Sequence, residues 1–468
     1  MSILGKHKEI YLSIFFSSFT GLIFAKALVF PGLYLSILII NFLVFLIIFS
    51  VGNLNKIQIF LILIILFEIF FFRILGIWDR LFLYSNETSG YLAFQNLDNM
   101  VFMATNISGF IWVNIMTISF LFGIYFALKT KNFDLKDYSP RINGNNLKLI
   151  SFVLLTIFLT GLTGTAFLEW NPEARWNEEF GFQELFIKSF IPLAIIFCIV
   201  LFKEGDKRTK LFALFSIFLI ILFTFFSGIR TLIIYSVLPL AYFLFPIRLW
   251  KILLIPISLL LFMIIFLIQE LGRSFISGFS FSEITNFVPW IYEILNSYGI
   301  SFLELARVTL EFEAHIDIDV TTFYKIQDGS LSLAFGATFL KPIFFIVPRS
   351  LYELKPESYS VQLAQELFPE IPGFSCGTGV IGEMFYNFGF FSPIFIFLVS
   401  LIFTKFIIFI SHSWGKNTSV RYNLLCFAFI PIFLDFYRAP FSDTVLVFLV
   451  MMIPLFFYVK LARNQINH

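Results

Sequence analysis

Residues 33–51 read LYLSILIINFLVFLIIFSV, nineteen consecutive positions without a charged side chain. A helix that crosses the hydrocarbon core of a bilayer needs about 20 mainly apolar residues, because each adds a rise of about 1.5 Å. The run therefore reads as a membrane-crossing helix. Moving the same window outward gives twelve such stretches, at residues 10–30, 33–51, 57–77, 99–128, 149–168, 185–202, 211–227, 231–245, 252–270, 385–411, 422–437 and 444–461. The first runs too long for a signal peptide, shows no small-residue cleavage site, and passes through Pro31-Gly32 straight into the second.

The composition of the 468 residues agrees. Hydrophobic residues make up 59% and charged residues 13%, whereas a soluble globular domain carries roughly 25% charge. An ordinary water-soluble enzyme and a disordered chain are both excluded. With 32 Lys+Arg against 30 Asp+Glu, no electrostatic footprint for nucleic acid exists. Three cysteines, Cys198, Cys376 and Cys426, are too few and too scattered for a disulfide framework or a zinc site. The fold class is all-α: a polytopic membrane protein of about twelve transmembrane helices, with residues 1–468 forming one integral membrane domain.

Orientation follows from Lys and Arg in the short loops. With the N-terminus in the cytoplasm, eighteen cations fall on the inner side, while the short outer loops hold only Arg80, Arg175, Arg230 and Arg438. Both termini are accordingly expected inside. One connection departs from the rest: residues 271–384, between the ninth and tenth spans, form an outer loop of more than one hundred residues. A long ordered loop usually carries function or structure of its own. Within it, residues 301–315 (SFLELARVTLEFEAH) have the period of an amphipathic helix, with Glu304, Arg307 and Glu311 on one polar face. Residues 331–348 (LSLAFGATFLKPIFFIVP) are apolar but interrupted at Gly336 and Lys341-Pro342, which predicts a dipping or interfacial segment rather than a full crossing.

Charges at membrane depth are costly, so each invites a functional reading. Lys26 is read as snorkelling to the interface, and Glu68 and Arg73, five residues apart, as pairing with other helices. The outer edge is more suggestive. Arg230 in Ser227-Gly228-Ile229-Arg230-Thr231, Arg273 after Gly272, Arg349 after Pro348, Lys355 before Pro356, and Arg438 all fall near the outer interface. Individually each could cap a helix or pair with an acid; as a set they suit phosphate oxygens, for which Arg offers a planar fork of donors. The glycine-dense stretch from Cys376 to Gly382 lacks the Gly-Lys-Ser/Thr ending of a P-loop, so its glycines serve close approach rather than nucleotide binding. Glu383 follows, either capping the start of the tenth span or acting as a general base at the membrane surface, with Asp435 as a second candidate. Asp317-Ile318-Asp319 is a weak metal signal: His315 alone does not complete a ligand set, and no metal is expected.

Ser-Gly-Ile-Arg-Thr at 227–231, Val347-Pro348-Arg349 followed by Lys355-Pro356, and Gly382-Glu383-x-x-Tyr386-Asn387-x-Gly389, set in a many-span chain, resemble the Wzy-type polymerases of O-antigen and capsular repeat units. The matching motifs cover about thirty residues; the topology match runs the whole chain. The resemblance implies a membrane-embedded glycosyltransferase in the bacterial inner membrane, without metal or other cofactor. Its substrates would be undecaprenyl-diphosphate-linked oligosaccharides, polymerised on the outer face, with membrane lipid and a chain-length regulator protein as partners. Arg230, Arg349, Lys355 and Glu383 carry over from the matched motifs, and Tyr386 and Asn387 would join the cations in binding substrate. Arg273, Asp435 and Arg438 are added from position and chemistry. The rivals are an O-antigen ligase, which uses the same donor, and a flippase or exporter of lipid-linked sugars, which would place its ion pairs nearer mid-bilayer.

Overall fold

The computed structural model describes residues 31–50, 107–130, 146–168, 178–226, 314–344, 359–367, 379–415 and 439–463, together with single positions such as Ile62, Tyr235 and Tyr437. Among the described residues there are helices and turns and no strand. The long helices are α1 (Pro31–Ser50), α2 (Ile107–Lys129), α3 (Asn146–Leu168), α4 (Glu178–Glu204) and α5 (Lys207–Phe226). Shorter ones follow: α6 (Ala314–Gln327), the single turn α7 (Lys341–Phe344), α8 (Tyr359–Leu367) and α9 (Val380–Phe388). Then come α10 (Ser392–Gly415) and α11 (Phe441–Arg463). Two helical segments, Ile107–Lys129 and Val380–Phe409, are long and apolar enough to cross a membrane.

The chain divides into two compact units. One comprises Met1–Tyr138, Phe312–Lys416 and Ile432–Leu446; the other comprises Ser139–Glu311, Asn417–Pro431 and Val447–His468. In the first, α10 lies along α2, α1 packs on another side of α2, and α6 sits on both α2 and α9. The α2–α10 crossing is close because Gly123 has no side chain: a Cβ there would fall 2.5 Å from the Phe397 carbonyl oxygen and 1.8 Å from Ser400 Oγ. Small residues at such crossings let helix backbones approach where apolar surroundings supply no hydrophobic drive. Polar side chains add cross-links: Asn114 Nδ2 donates to Ser36 Oγ at 2.9 Å, joining α2 to α1. Thr117 and Tyr437 share a buried hydroxyl contact of 3.0 Å.

In the second unit α3, α4 and α5 pack mutually. Residues from Ile191 to Leu201 of α4 are buried on all sides of the helix, the pattern of a central helix. Phe152 of α3 meets Phe190 and Phe197 of α4 edge-on, with centroids 5.5 and 5.1 Å apart. A tight turn at Gly205 leads into α5, whose start is capped by Asp206: its Oδ1 accepts the Thr209 backbone N–H at 3.0 Å. The Thr209 hydroxyl and backbone hydrogen bonds hold the Asp206 carboxyl below its ordinary range.

Apolar residues stand exposed in stripes along the helices. On α1 they are Leu35, Leu38, Phe42 and Phe45, and on α5 Leu211, Leu214, Phe215 and Phe218. Contiguous apolar surface of this kind is not left to water by soluble monomers.

Candidate active site around Glu383

The segment read from hydropathy as a single span at 385–411 is two helices. Helix α9 ends at Gly389, whose φ of 54° and ψ of −130° lie where only glycine is comfortable. A 3₁₀ turn, Gly389–Phe391, then leads into α10. The break isolates α9 as a nine-residue helix whose residues Val380 to Asn387 are all buried. Glu383 thus lies on a short buried helix at the start of the Val380–Phe409 segment.

Two faces of α9 do different work. Gly382 and Tyr386, four apart, face α6 and α8. A Cβ on Gly382 would lie 2.3 Å from Asp319 Oδ1 and 2.6 Å from the Tyr359 hydroxyl, so glycine is what lets these elements meet. The Tyr386 ring stacks on Tyr359, with centroids 5.2 Å apart, and its hydroxyl donates to Gln362 Oε1 at 2.7 Å. Tyr359 in turn contacts the Thr322 hydroxyl. Ile318, Leu331 and Leu363 close the apolar cluster around this pair of rings.

Glu383 and Asn387, also four apart, face the loop after α6 and the start of α11. The Thr338 hydroxyl donates to Glu383 Oε1 at 2.7 Å, and the Ser442 backbone N–H donates to Oε2 at 3.1 Å. Ser442 lies in the first turn of α11, so the carboxylate sits at the positive end of a 23-residue helix. Glu383 therefore serves the start of α11 and not the start of its own helix. Asn387 fixes the loop from the same face. Its Nδ2 donates to Thr338 Oγ1 and to the Glu383 carbonyl, both at 2.8 Å, and its Oδ1 accepts the Gly336 N–H at 2.9 Å. A fourth tie is the Ala334 N–H to the Tyr386 carbonyl at 3.0 Å.

The loop is pinned at both ends. At its start, the Ser330 hydroxyl and backbone hold the Asp328 carboxyl below its ordinary range, with the Ser330 N–H 2.8 Å from Oδ1. At its end, Lys341 pairs with Asp443, the residue after Ser442. Residues 331–344 consist of irregular chain with a turn at Phe335-Gly336, the 3₁₀ turn Ala337–Leu340 and the single turn α7.

Glu383 and Asn387 are thereby brought together on one face of α9, while Tyr386 lies on the other; Tyr386 and Asn387 are bonded within the protein. Arg230, Arg273, Arg349, Lys355, Asp435 and Arg438 lie outside the described residues, as do residues 301–313 of the amphipathic stretch. Asp317 and Asp319 are both buried on α6. Sequence reasoning did not find Thr338, Lys341, Ser442 or Asp443. Lys341 stood out only as an interruption in an apolar stretch, and Asp443 not at all. Nothing local marks Thr338 or Ser442, whose roles exist only once the distant segments meet.

Chemically, the arrangement holds one carboxylate out of water, oriented by one hydroxyl and one helix-terminal N–H, beside an ion pair that is partly open to solvent. Such a group can receive a proton at a fixed position. Comparison with known proteins returns no match: no family model, curated protein or solved structure aligns with the chain.

Proposed function

We propose that this chain is a polytopic membrane glycosyltransferase of the Wzy type, about twelve-spanned, in a bacterial inner membrane with both termini in the cytoplasm. In this reading it polymerises undecaprenyl-diphosphate-linked oligosaccharide units on the outer face. The observation that carries it is Glu383: the acid of the Gly-Glu-x-x-Tyr-Asn-x-Gly motif is fully buried and held by donors from two remote segments.

In the reaction, a hydroxyl of the acceptor unit attacks the anomeric carbon of the donor glycan. The new C–O bond forms as the bond to the lipid diphosphate breaks, and the diphosphate departs with the electron pair. Glu383, or Asp435, takes the hydroxyl proton. Arg230, Arg273, Arg349, Lys355 and Arg438 would face the charge building on the leaving group. No nucleotide is consumed, because the diphosphate already activates the sugar.

The test is the surface polysaccharide of a strain whose only copy carries Glu383→Gln. Surface polymer reduced to single repeat units, with normal amounts of protein in the membrane, supports the polymerase; long chains remove Glu383 from the mechanism. A second reading is favoured by one observation. The interruption at Gly389 beside a buried carboxylate resembles the discontinuous helices of transporters. A flippase or exporter would instead leave lipid-linked units on the cytoplasmic side in a deletion strain, and uncapped lipid A core would indicate a ligase.

A further inference from the structure

The loop of residues 331–344 is polar on one side and apolar on the other, although it is not an amphipathic helix. Inward it offers the Ala334 and Gly336 N–H groups, the Thr338 hydroxyl and the Lys341 ammonium, all bonded to α9 or to the start of α11. Outward it offers Phe335, Leu340 and Ile343, with Phe335 83% and Ile343 69% exposed. Phe335 is held out at a cost. Its φ of 47° is in the left-handed region, followed by Gly336 at 87°, and a bulky residue there is strained. Hydrogen bonds on either side of it, at Ala334 and Gly336, keep the backbone in that shape.

Other side chains of the loop pack it against the turn that leads into α10. Leu333 Cδ1 lies 3.3 Å from the position of a Cβ on Gly389. The Phe339 ring is 5.6 Å from that of Phe388, which stacks at 3.7 Å on Phe395. From there the exposed face runs down α10 through Phe391, Ile394, Leu398 and Ile402, spaced three and four apart. That helix belongs to a segment long and apolar enough to cross a membrane. The loop thus packs on the turn from which that apolar face begins.

We infer that Phe335, Leu340 and Ile343 insert among the acyl chains of the bilayer that α10 crosses, making the loop a membrane-seated wall over the buried Glu383. This rests on the membrane placement made above and not on the polymerase chemistry. Thr338, between Phe335 and Leu340, touches both worlds: its neighbours meet lipid while its hydroxyl holds the acid. The Lys341–Asp443 pair marks the polar side of the wall, since charged side chains inside a membrane face protein and pair there rather than facing lipid. The consequence for a lipid-borne substrate is lateral access: its headgroup would arrive one loop's thickness from Glu383.

The experiment uses full-length protein with Cys198, Cys376 and Cys426 replaced by Ala. Single cysteines are placed at Phe335, Ile343 and, as a polar control, the exposed turn residue Asp328. Each is labelled with an environment-sensitive fluorophore and reconstituted in phosphatidylcholine vesicles, with or without brominated acyl chains. Labels at Phe335 and Ile343 should emit to the blue and lose intensity with brominated lipid, while the Asp328 label is quenched by aqueous iodide. Iodide quenching at Phe335 and Ile343 without bromine quenching overturns the inference. So does a blue shift indifferent to bromine that fades as the protein is diluted in lipid, which would mean contact with a second copy. Unchanged polysaccharide in Glu383→Gln would remove the enzymatic reading while leaving these label positions as they are.

Discussion

At Glu383 the two carboxylate oxygens each receive one donor, from Thr338 and from the Ser442 backbone, and the side chain is shut away from water. Removing a buried donor leaves its partner unsatisfied, at about 1–3 kcal/mol. Thr338→Val should therefore lower thermal stability in detergent by that amount, and should lower activity with it. Glu383→Gln keeps the shape but turns one acceptor into a donor. It should insert normally, melt within a few degrees of the wild type, and abolish chain extension, read by membrane quantity and polysaccharide length. At Gly389 the left-handed φ admits glycine without strain. Gly389→Ala should cost about 1 kcal/mol or more and shift the melting transition downward. The sequence made Glu383 and the flanking glycines visible as a motif. It did not disclose their partners, because Thr338 and Ser442 stand 45 and 59 positions away and carry no local signature.

Helices as elements were the most legible part. Windows placed at 33–51, 149–168 and 211–227 correspond to α1, α3 and α5, because an uncharged run of that length has one low-energy structure in hydrocarbon. Helix α4 extends N-terminally to Glu178, past the window at 185–202, since hydropathy reports depth in a bilayer and not where backbone bonding stops. The break between α9 and α10 was invisible for the same reason: Gly389 is a single position in an apolar run. The α2–α10 crossing makes its own prediction. Gly123→Leu would drive a side chain into the α10 backbone, so the variant should accumulate poorly and be cleaved faster in a limited-proteolysis assay. The start of α5 gives a pH test. The Asp206 carboxyl is held low by Thr209, so its capping contribution is present above the ordinary carboxylate pKa and is lost as pH falls through the lowered value. Hydrogen exchange in the first turn of α5 should rise with acid in that window, and Asp206→Asn should flatten the response.

Across the whole molecule, apolar stripes face outward from helices of both compact units, and each unit gathers segments distant in sequence. Such grouping leaves no mark in hydropathy, which reads each span alone. The charge bias of the short loops makes the corresponding prediction. A reporter inserted in the α4–α5 turn, among Lys203, Lys207, Arg208 and Lys210, should read cytoplasmic, and the protein should resist alkaline carbonate extraction. Periplasmic signal at that turn would reverse the orientation of every loop. The split setting of Glu383 also imposes an order on biogenesis. A ribosome delivers Thr338 and Glu383 before Ser442, so the nascent acid has only its hydroxyl donor until α11 emerges and docks. A chain stalled short of residue 442 would hold the Glu383 side chain with the Thr338 hydroxyl as its one donor of the two.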